Sequence, residues 1–364
     1  MPVDPQSPRY LRQRTLAGFG GAAQERLAAA HAVVIGAGGL GSAVLPALAA
    51  AGVGRITVVD DDVVELSNLH RQTIHGAADV GRPKADSAAD ALARLSPETV
   101  VVARRARFDA TTAAALLADA DVLVDGSDTA ATRYLADDAA AAAGIPLVWG
   151  SALGWAGQVG VASEAAGVGY RDLYPHDGTA DDLSCEIVGV LPTVCAVIGG
   201  LMAGETIKVL TGLGDPLLGR AQLYDARSGS LREVVYRRAA DRPAAAPLPE
   251  ADGNADADAD ADAVRPAELD DVLRRDDALL LDVRERDEAA AAPLPASVLP
   301  ASALIPLGEL PRRVADLDPA RAIVVVCGRG IRSRTAVDVL RAAGFRARHV
   351  AGGMDALRRM PVVG

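Results

Sequence analysis

The chain has 364 residues, half of them hydrophobic, which is enough for two or three domains with substantial cores. Its net charge of −11 at pH 7, without a dense block of lysine and arginine, argues against nucleic acid as a partner. The three cysteines have spacings typical of neither a disulfide framework nor a zinc knuckle, and the first residues lack a signal-peptide pattern, so we expect a cytoplasmic protein.

Strand and helix patterns alternate over the first 150 residues. We predict strands at 32–36, 55–60, 99–103, 121–125 and 145–150, with helices at 40–52, 83–95, 111–118 and 130–143. This alternation is typical of an α/β fold with a mostly parallel sheet and helices on both faces. Because ligands of such sheets bind beyond the C-terminal strand ends, the residues that follow the strands are the candidates for a binding site.

The first predicted strand runs into a G-x-G-x-x-G motif that opens a helix. Its glycines, Gly36, Gly38, Gly39 and Gly41, leave backbone N–H groups and a helix N-terminus open to an anion. Asp60 ends the second strand, where a carboxylate can accept hydrogen bonds from a ribose. These two features suit NAD and ATP equally well.

Polar and cationic residues close behind this turn favour a triphosphate. Arg71 can grip phosphate oxygens, Lys84 can offset charge on a departing pyrophosphate, and Asn68 adds a polar group. Asp128, after the fourth strand, is placed to hold a Mg²⁺ that bridges phosphates. Taken singly, Arg71 and Lys84 can also be surface charges, and Asp128 can be the N-cap of the following helix.

Residues 187–204 carry no charge over eighteen positions, the lower limit for a membrane-spanning helix. Pro192, four glycines and the lack of a basic flank argue against a span. We therefore predict a helix from about Pro192 to Leu210 that is buried on nearly all sides, with Glu205 and Lys208 marking where it surfaces.

Residues 237–264 are rich in alanine, aspartate and proline and include the repeat A-D-A-D-A-D-A-D. Such a segment cannot bury enough apolar surface to fold, so we predict a disordered linker with a reach of roughly 30 Å. It divides the chain into a first domain at 1–236 and a second at 265–364.

The second domain contains a buried strand pattern at 279–285 and another at 323–333 that ends in a cysteine loop before a helix. Backbone N–H groups at the helix N-terminus, together with Arg329 and Arg332, favour an anionic sulfur on Cys327. Cys327 is therefore the expected reactive thiol of the chain.

Two protein classes place a cysteine in such a loop. A cysteine phosphatase needs an arginine six positions after the cysteine, and Ser333 stands there. The loop, with D-V-R-E before it and A-G-G-M after it, resembles a rhodanese domain over about 265–361, which implies a persulfide carried on Cys327.

The first domain resembles the ubiquitin-activating superfamily, in particular its bacterial MoeB and ThiF type adenylyltransferases, which activate sulfur carriers. The stretches that carry the resemblance are G-A-G-G-L-G-S, A-A-G-V-G-R-I-T-V-V-D-D-D-V-V-E-L-S-N-L-H-R-Q and D-V-G-R-P-K, within a match from residue 9 to 226. The resemblance implies a Rossmann-like fold, ATP and Mg²⁺. It also implies a ubiquitin-like partner whose C-terminal Gly-Gly carboxylate attacks the α-phosphate of ATP.

The same resemblance assigns roles to individual residues. Gly39 would approach the nucleotide, Asp60 would hold its ribose and Asp128 would hold Mg²⁺. The phosphates would be lined by Ser67, Asn68, Arg71 and Lys84. Arg12 would reach the phosphates of a neighbouring subunit, which implies a homodimer, although an exposed helix arginine is the alternative reading. Thr129, which we expect to contact the nucleotide, stands where the family usually has asparagine.

Many relatives bind structural zinc with two Cys-x-x-Cys pairs. Gly169 and Asp172 occupy the positions of the first pair, and no cysteine lies near residue 240, so we expect no zinc. The stretch Y-R-D-L-Y-P resembles the corresponding stretch of adenylyltransferase/sulfurtransferase fusions of the MoeZ type. Cys185 matches a loop cysteine proposed to bond to the carrier, although flanking acids disfavour its thiolate.

We therefore expect an enzyme that adenylates a sulfur carrier and then delivers sulfur from Cys327, with Cys185 as a candidate for resolving the product. The sulfur donor would be thiosulfate or the persulfide of a cysteine desulfurase, and the product would feed molybdopterin, thiamine, cysteine or related synthesis. Alternatives are a nicotinamide-dependent oxidoreductase, a relative that modifies a tRNA base, and a non-catalytic nucleotide sensor that presents the second domain.

Overall fold

The computed structural model describes residues 2–175, 189–239, 242, 263–295, 298, 302–328 and 331–358. These form two compact units, Met1–Gly253 and Asn254–Gly364. Most of the predicted linker lies outside the described residues, so its disorder stays a prediction.

The first unit is built on an eight-stranded sheet in the order β3-β2-β1-β4-β5-β6-β7-β8. Its strands are β1 (His31–Ile35), β2 (Arg55–Val59), β3 (Val100–Arg104), β4 (Val122–Asp125), β5 (Leu147–Leu153), β6 (Ala156–Ala162), β7 (Arg220–Asp225) and β8 (Ser230–Val235). Strands β1 to β5 are parallel, and β6 to β8 continue the sheet antiparallel. The prediction of an α/β fold with a mostly parallel sheet is therefore confirmed.

Eight helices accompany this sheet in the described part of the unit. They are α1 (Leu11–Arg14), α2 (Gly20–Ala29), α3 (Gly41–Ala51), α4 (Lys84–Leu95), α5 (Ala113–Leu117), α6 (Ala130–Ala143), α7 (Tyr170–Leu173) and α8 (Pro192–Thr211). Short 3₁₀ helices lie at Pro8–Tyr10, Leu66–Asn68 and Ala77–Asp79.

The inner parallel strands are buried on both faces, whereas the edge strand β3 is partly exposed. In β1, Ala32 and Val34 belong to one hydrophobic cluster, which includes α3, α4 and α8, and Val33 and Ile35 belong to a second, which includes α5 and α6. Alternate residues of a strand point to opposite faces, so this strand must be apolar throughout. Because helices cover both faces of the sheet, polar side chains lie at the C-terminal ends of its strands.

By length and composition, α8 is long and apolar enough to cross a membrane. It packs against α3, β5 and β6, which confirms a core helix. Two details of that prediction are wrong. The side that carries Val197 is exposed, so the helix is not buried on nearly all sides. Glu205 is buried rather than at the surface. Its carboxylate accepts a hydrogen bond from the Leu217 backbone N–H at 2.9 Å and pairs with Lys208.

The second unit has a five-stranded sheet in the order β11-β10-β12-β13-β9, and its paired strands are all parallel. Its strands are β9 (Ala263–Val264), β10 (Leu279–Asp282), β11 (Ser302–Leu304), β12 (Ile323–Val326) and β13 (Ala347–Val350). The described helices are α9 (Leu269–Arg275), α10 (Arg286–Ala291), α11 (Leu310–Arg313), α12 (Ile331–Ala342) and α13 (Gly353–Arg358). The central strand β12 leads directly into Cys327.

Candidate functional site

The glycine turn between β1 and α3 is tight enough to require its glycines. Gly36 has a φ of +87°, and a Cβ there would lie 3.0 Å from the carbonyl oxygen of Gly126. A Cβ at Gly41 would collide with the carbonyl of Gly36, and one at Gly39 would lie 2.8 Å from Sγ of Cys195 on α8. Close packing, as well as room for a ligand, therefore explains the motif.

The backbone of Ala37 anchors the turn. Its N–H donates to Oδ2 of Asp60 at 2.8 Å, and its carbonyl accepts from Nε2 of His75 at 2.9 Å. His75 also bonds through Nδ1 to the Ser87 hydroxyl at 2.9 Å, and burial lowers the pKa of its imidazole. His75 is therefore neutral, with its proton on Nε2. Sequence reasoning missed this residue.

Asp60 lies where the sequence predicts, at the end of β2. Besides Ala37, its carboxylate accepts a hydrogen bond from the Asp62 backbone N–H at 2.9 Å. Burial raises the pKa of Asp60 to about 6, although the positive charge of Lys84 opposes that shift. The carboxyl group therefore changes its charge in a range where activity can be measured.

We expect ATP binding to weaken as the pH falls through about 6. Below its raised pKa, Asp60 is protonated and loses the negative charge that favours hydrogen bonds from ribose hydroxyls. Calorimetric titration of ATP on both sides of this pH checks the expectation. Asp60→Asn is the matched control, because its side-chain oxygen can still accept from Ala37. A pH dependence that is the same in wild type and Asp60→Asn would show that another group is responsible.

Lys84 begins α4 and lies buried among carboxylates. Its Nζ pairs with Oδ2 of Asp62 at 2.9 Å, and its backbone N–H donates to the Asp62 carbonyl at 2.8 Å. Burial alone would lower the pKa of Lys84, but Asp62 and Asp60, with Asp128, raise it. The reading of Lys84 as a surface charge is therefore wrong. The fold brings Lys84, Asp60 and Asp128 together, and it adds Asp62.

The predicted phosphate residues of the 66–72 stretch lie beside the glycine turn. Asn68 is buried in the 3₁₀ helix, whereas Ser67 is exposed. Arg71 is half-buried, and its Cγ lies 3.6 Å from the position of a Cβ at Gly39. The stem of Arg71 packs against the turn, whereas its exposed guanidinium bonds to Nε2 of His70 at 2.9 Å, so a role of Arg71 at the phosphates stays a prediction.

Thr129 is the N-cap of α6. Its hydroxyl oxygen accepts from the backbone N–H of Thr132 at 3.2 Å. The reading of Asp128 as that N-cap is wrong, and the exposed Asp128 carboxylate is not engaged in capping. A direct contact between Thr129 and the nucleotide stays a prediction.

Three buried polar atoms around the turn have no hydrogen-bond partner among the described residues: Ser42 Oγ, Gln72 Oε1 and Ser127 Oγ. Ser42 lies in the first turn of α3, Gln72 lies beside Gly38, and the Ser127 backbone nitrogen lies beside Gly36. Buried groups of this kind cost about 1–3 kcal/mol each when they remain unpaired. A polar ligand in the turn would satisfy them, so the residues present fit a nucleotide.

Two predicted site residues do not lie in the Lys84 cluster, which consists of Lys84, Asp60, Asp62 and Asp128. Arg12 is exposed on α1, and no hydrogen bond or ion pair of the described residues joins its side chain to the Lys84 cluster. Its role in a neighbouring subunit stays a prediction. Cys185 lies outside the described residues.

Gly169 and Asp172, which occupy the positions of the first Cys-x-x-Cys pair, lie among hydrogen-bond donors of the protein itself. The Asp172 carboxylate accepts from the N–H groups of Gly169 at 2.7 Å and Ala239 at 3.0 Å, and from Nη1 of Arg242 at 2.7 Å. A Cβ at Gly169 would lie 2.5 Å from the same Arg242 atom. Among the described residues, no three His, Cys, Asp or Glu side chains cluster as metal ligands.

In the second unit, Cys327 is buried at the C-terminal end of β12. Its Sγ accepts a hydrogen bond from the backbone N–H of Ser333 in α12 at 3.3 Å, and the Ser333 hydroxyl lies 3.5 Å away. The helix thus presents a donor to the sulfur, as the sequence predicts. Arg329 lies outside the described residues.

Arg332 is held by a partner that the sequence did not reveal. Its Nη1 and Nη2 bond to the two carboxylate oxygens of Glu288 at 2.7 and 2.8 Å. Arg284, in the D-V-R-E stretch, pairs with Asp282 at 2.6 Å, and both side chains are buried. The first pair lies near the cysteine loop, since Nη2 of Arg332 is 3.5 Å from the position of a Cβ at Gly328.

Comparison with known families places both units. The model of the ThiF family matches residues 10–244, about two thirds of the chain. The chain belongs to the ThiF family. The rhodanese-like domain model matches residues 265–360. This ThiF-family chain with its rhodanese-like domain is an adenylyltransferase and sulfurtransferase, and its family uses ATP.

Three curated relatives illustrate the similarity. A probable adenylyltransferase/sulfurtransferase MoeZ of Mycobacterium tuberculosis is 41% identical over 362 residues, covering 96% of this chain and 92% of the relative. The adenylyltransferase and sulfurtransferase MOCS3 of Arabidopsis thaliana is 34% identical over 96% of this chain and 82% of its own. A sulfur carrier protein adenylyltransferase of Thermus thermophilus is 45% identical over 63% of this chain and 87% of its own.

Solved structures agree on the fold of the first unit. E. coli MccB with ATP has a TM-score of 0.55 at 20% identity, covering 62% of this chain and 70% of MccB. PaaA has a TM-score of 0.54 at 21% identity, covering 63% of this chain and 73% of its own. At this identity the likeness concerns the fold alone.

Proposed function

We propose that this protein adenylates the C-terminal glycine of a ubiquitin-like sulfur carrier and then transfers sulfur to it from a persulfide on Cys327. The observation that carries the proposal is the buried Lys84 among three carboxylates beside the glycine turn, in one chain with a buried cysteine at a helix N-terminus. The Thermus relative is named for activity on a sulfur carrier protein, which supports the same substrate class.

Adenylation would proceed by attack of a carrier carboxylate oxygen on the α-phosphorus of ATP. The bond from that phosphorus to the bridging oxygen breaks, and pyrophosphate leaves with the electron pair. The turn's N–H groups would hold phosphate oxygens, and Asp60 would accept from the ribose. Lys84 and Arg71 would offset the negative charge that develops on the leaving group.

Asp128 would hold Mg²⁺. The ion usually keeps several waters and takes one or two protein carboxylates plus phosphates, so a single exposed aspartate beside the cluster fits this requirement. When bound, the ion neutralises phosphate charge. Asp62, by pairing with Lys84, would hold the ammonium group in the site.

Sulfur transfer would begin with a Cys327 thiolate that takes the outer sulfur of thiosulfate and releases sulfite, or takes it from a desulfurase persulfide. The terminal sulfur then attacks the acyl carbon, and AMP leaves. A thiol, for which Cys185 is the candidate, attacks the Cys327 sulfur and releases the carrier thiocarboxylate. This leaves a disulfide that a cellular thiol must reduce, which fits a cytoplasmic enzyme. The product would serve molybdopterin, thiamine, cysteine or related synthesis.

We propose that the active protein is a homodimer to which Arg12 contributes across the interface. Arg12 lies exposed on α1 between Leu11 and other exposed apolar side chains, including Leu16. The exposed side of α8, which carries Val197, adds apolar surface of the kind that subunit contacts cover.

Mixed dimers are expected to recover activity that each parent variant lacks. Arg12→Ala and Lys84→Ala should each lose pyrophosphate release on their own. In a heterodimer of the two, one site contains both native residues if Arg12 acts across the interface. Random pairing should then restore about one quarter of the wild-type rate, and the isolated heterodimer should show about one half. Co-expression with two affinity tags isolates the heterodimer, and an inactive heterodimer would show that Arg12 acts within its own subunit.

The test of the proposed function uses a panel of small carriers that end in Gly-Gly. Each is incubated with the full chain, ATP, Mg²⁺ and thiosulfate, and intact mass and pyrophosphate are measured. A carrier in which one oxygen is replaced by sulfur supports the proposal and identifies the partner. ATP binding without pyrophosphate from any carrier would contradict it and favour the nucleotide sensor, whereas NAD binding would favour the oxidoreductase.

A further inference from the structure

An ion pair lies buried at the end of β4, one residue before the loop that carries Asp128. Asp125 is completely buried, and Arg133 in the first turn of α6 is nearly so. Nε of Arg133 lies 3.6 Å from Oδ2 of Asp125, and neither atom has a hydrogen-bond partner among the described residues. The Arg133 guanidinium also lies over the ring of Tyr170, 5.9 Å from its centroid.

The pair forms hydrogen bonds with both backbone groups of Ser127. Oδ1 of Asp125 accepts from the N–H of Ser127 at 2.9 Å, and Nη2 of Arg133 donates to the Ser127 carbonyl at 3.1 Å. Ser127 directly precedes Asp128, and Thr129 on the other side is fixed as the N-cap of α6. Asp128 therefore lies in a short loop in which both of its neighbouring residues, Ser127 and Thr129, are held by hydrogen bonds.

Fold stability is a weak reason for this arrangement. Burying two charges is energetically costly, and well-packed apolar residues often serve equally well. Burial raises the pKa of Asp125 while the charge of Arg133 opposes the shift. For Arg133, burial lowers the pKa, but Asp125 and Tyr170, with a contribution from Asp128, raise it overall. The guanidinium thus stays charged within electrostatic reach of Asp128.

We propose that Arg133 is a positioning residue for Asp128: by holding Ser127 against Asp125, it sets the loop so that the Asp128 carboxylate can bind the Mg²⁺ of the nucleotide complex. The inference rests on the proposed role of Asp128. Arg133 does not touch the substrate in this view. It acts through the backbone of Ser127.

The chain provides a matched control for this proposal. Arg171 also pairs with a carboxylate of α6, Asp138, at 2.6 Å, and also lies over a tyrosine, with its guanidinium 4.8 Å from the centroid of the Tyr134 ring. Its described side-chain contacts are with α6 and not with the Asp128 loop. Arg133→Lys and Arg171→Lys therefore make the same chemical change in two ion pairs, only one of which holds Ser127.

The experiment measures ATP affinity by calorimetry in Mg²⁺ and in EDTA, together with thermal unfolding, on the full chain. Arg133→Lys should weaken ATP binding in Mg²⁺ by roughly tenfold and leave binding in EDTA unchanged. It should lower the pyrophosphate release rate by about 10²-fold, as expected of a displacement near 1 Å. Arg171→Lys should change neither affinity, although both variants lower the melting temperature.

The proposal is overturned if Arg133→Lys and Arg171→Lys behave alike, or if Arg133→Lys weakens ATP binding equally in Mg²⁺ and in EDTA. Asp125→Asn keeps an acceptor for Ser127 and supplies a second variant, which should show a smaller Mg²⁺-specific loss. Should the wild type bind Mg²⁺ and ATP but release no pyrophosphate with any carrier, the proposed function fails. The Mg²⁺-specific difference between the two variants still decides the role of Arg133.

Discussion

Replacing Cys327 with alanine is expected to abolish sulfur transfer to a carrier and to leave pyrophosphate release unchanged. Cys327 follows the central strand of the second unit, and its sulfur accepts the Ser333 N–H at the start of α12. An alanine methyl group cannot carry a persulfide. The adenylation residues lie in the other unit, so the first half-reaction should continue at the wild-type rate. Pyrophosphate release and intact carrier mass, measured in one sample, check both statements.

Cys327→Ser separates chemistry from packing. Its hydroxyl nearly fills the space of the thiol and can still accept from Ser333, so the fold should be kept. Serine forms no persulfide, and the transfer should be lost as completely as in Cys327→Ala. Sulfur transfer by Cys327→Ser at the wild-type rate would contradict the assignment and direct the search to another thiol. Cys195 is a poor candidate for that role, because burial raises the pKa of its thiol.

The parallel half of the sheet could be predicted from sequence because its signal is strong. Buried parallel strands are continuous apolar runs, so most predicted bounds fall within two residues of the observed ones. The antiparallel strands gave no such signal. Strand β8 is largely exposed and lacks a clean alternation of apolar and polar residues. Helix α2 was missed also, since its small residues and two initial glycines produce little periodicity.

The candidate site also combines features that could be predicted from the sequence with features that could not. Residues that directly follow strands, such as Asp60 and Asp128, could be predicted because parallel topology brings strand ends to one edge. Contacts between residues that are distant in sequence could not. His75 meets Ala37 across 38 residues, and Arg332 meets Glu288 across 44. Only the folded backbone brings such pairs together, and no spacing rule reveals them.

Replacing Lys84 with methionine is expected to slow adenylation by about 10²–10³-fold, the usual cost of removing one group that stabilises developing charge. Nζ of Lys84 lies in a buried position next to Asp62, Asp60 and Asp128. Its positive charge can therefore act on the leaving pyrophosphate without strong screening by water. Methionine keeps the length and apolar stem of the side chain and removes only the charge. Carrier-dependent pyrophosphate release measures the effect.

The same substitution also leaves Asp62 without its cation, so a loss of activity could come from a weakened fold. The double variant Lys84→Met/Asp62→Asn distinguishes the two causes. Neutralising Asp62 removes the uncompensated charge and should recover most of the melting temperature lost in Lys84→Met. It supplies no cation for the phosphates, so pyrophosphate release should stay low. A double variant that regains both stability and activity would reduce Lys84 to a partner of Asp62, whereas stability without activity establishes Lys84 as the group that acts on ATP.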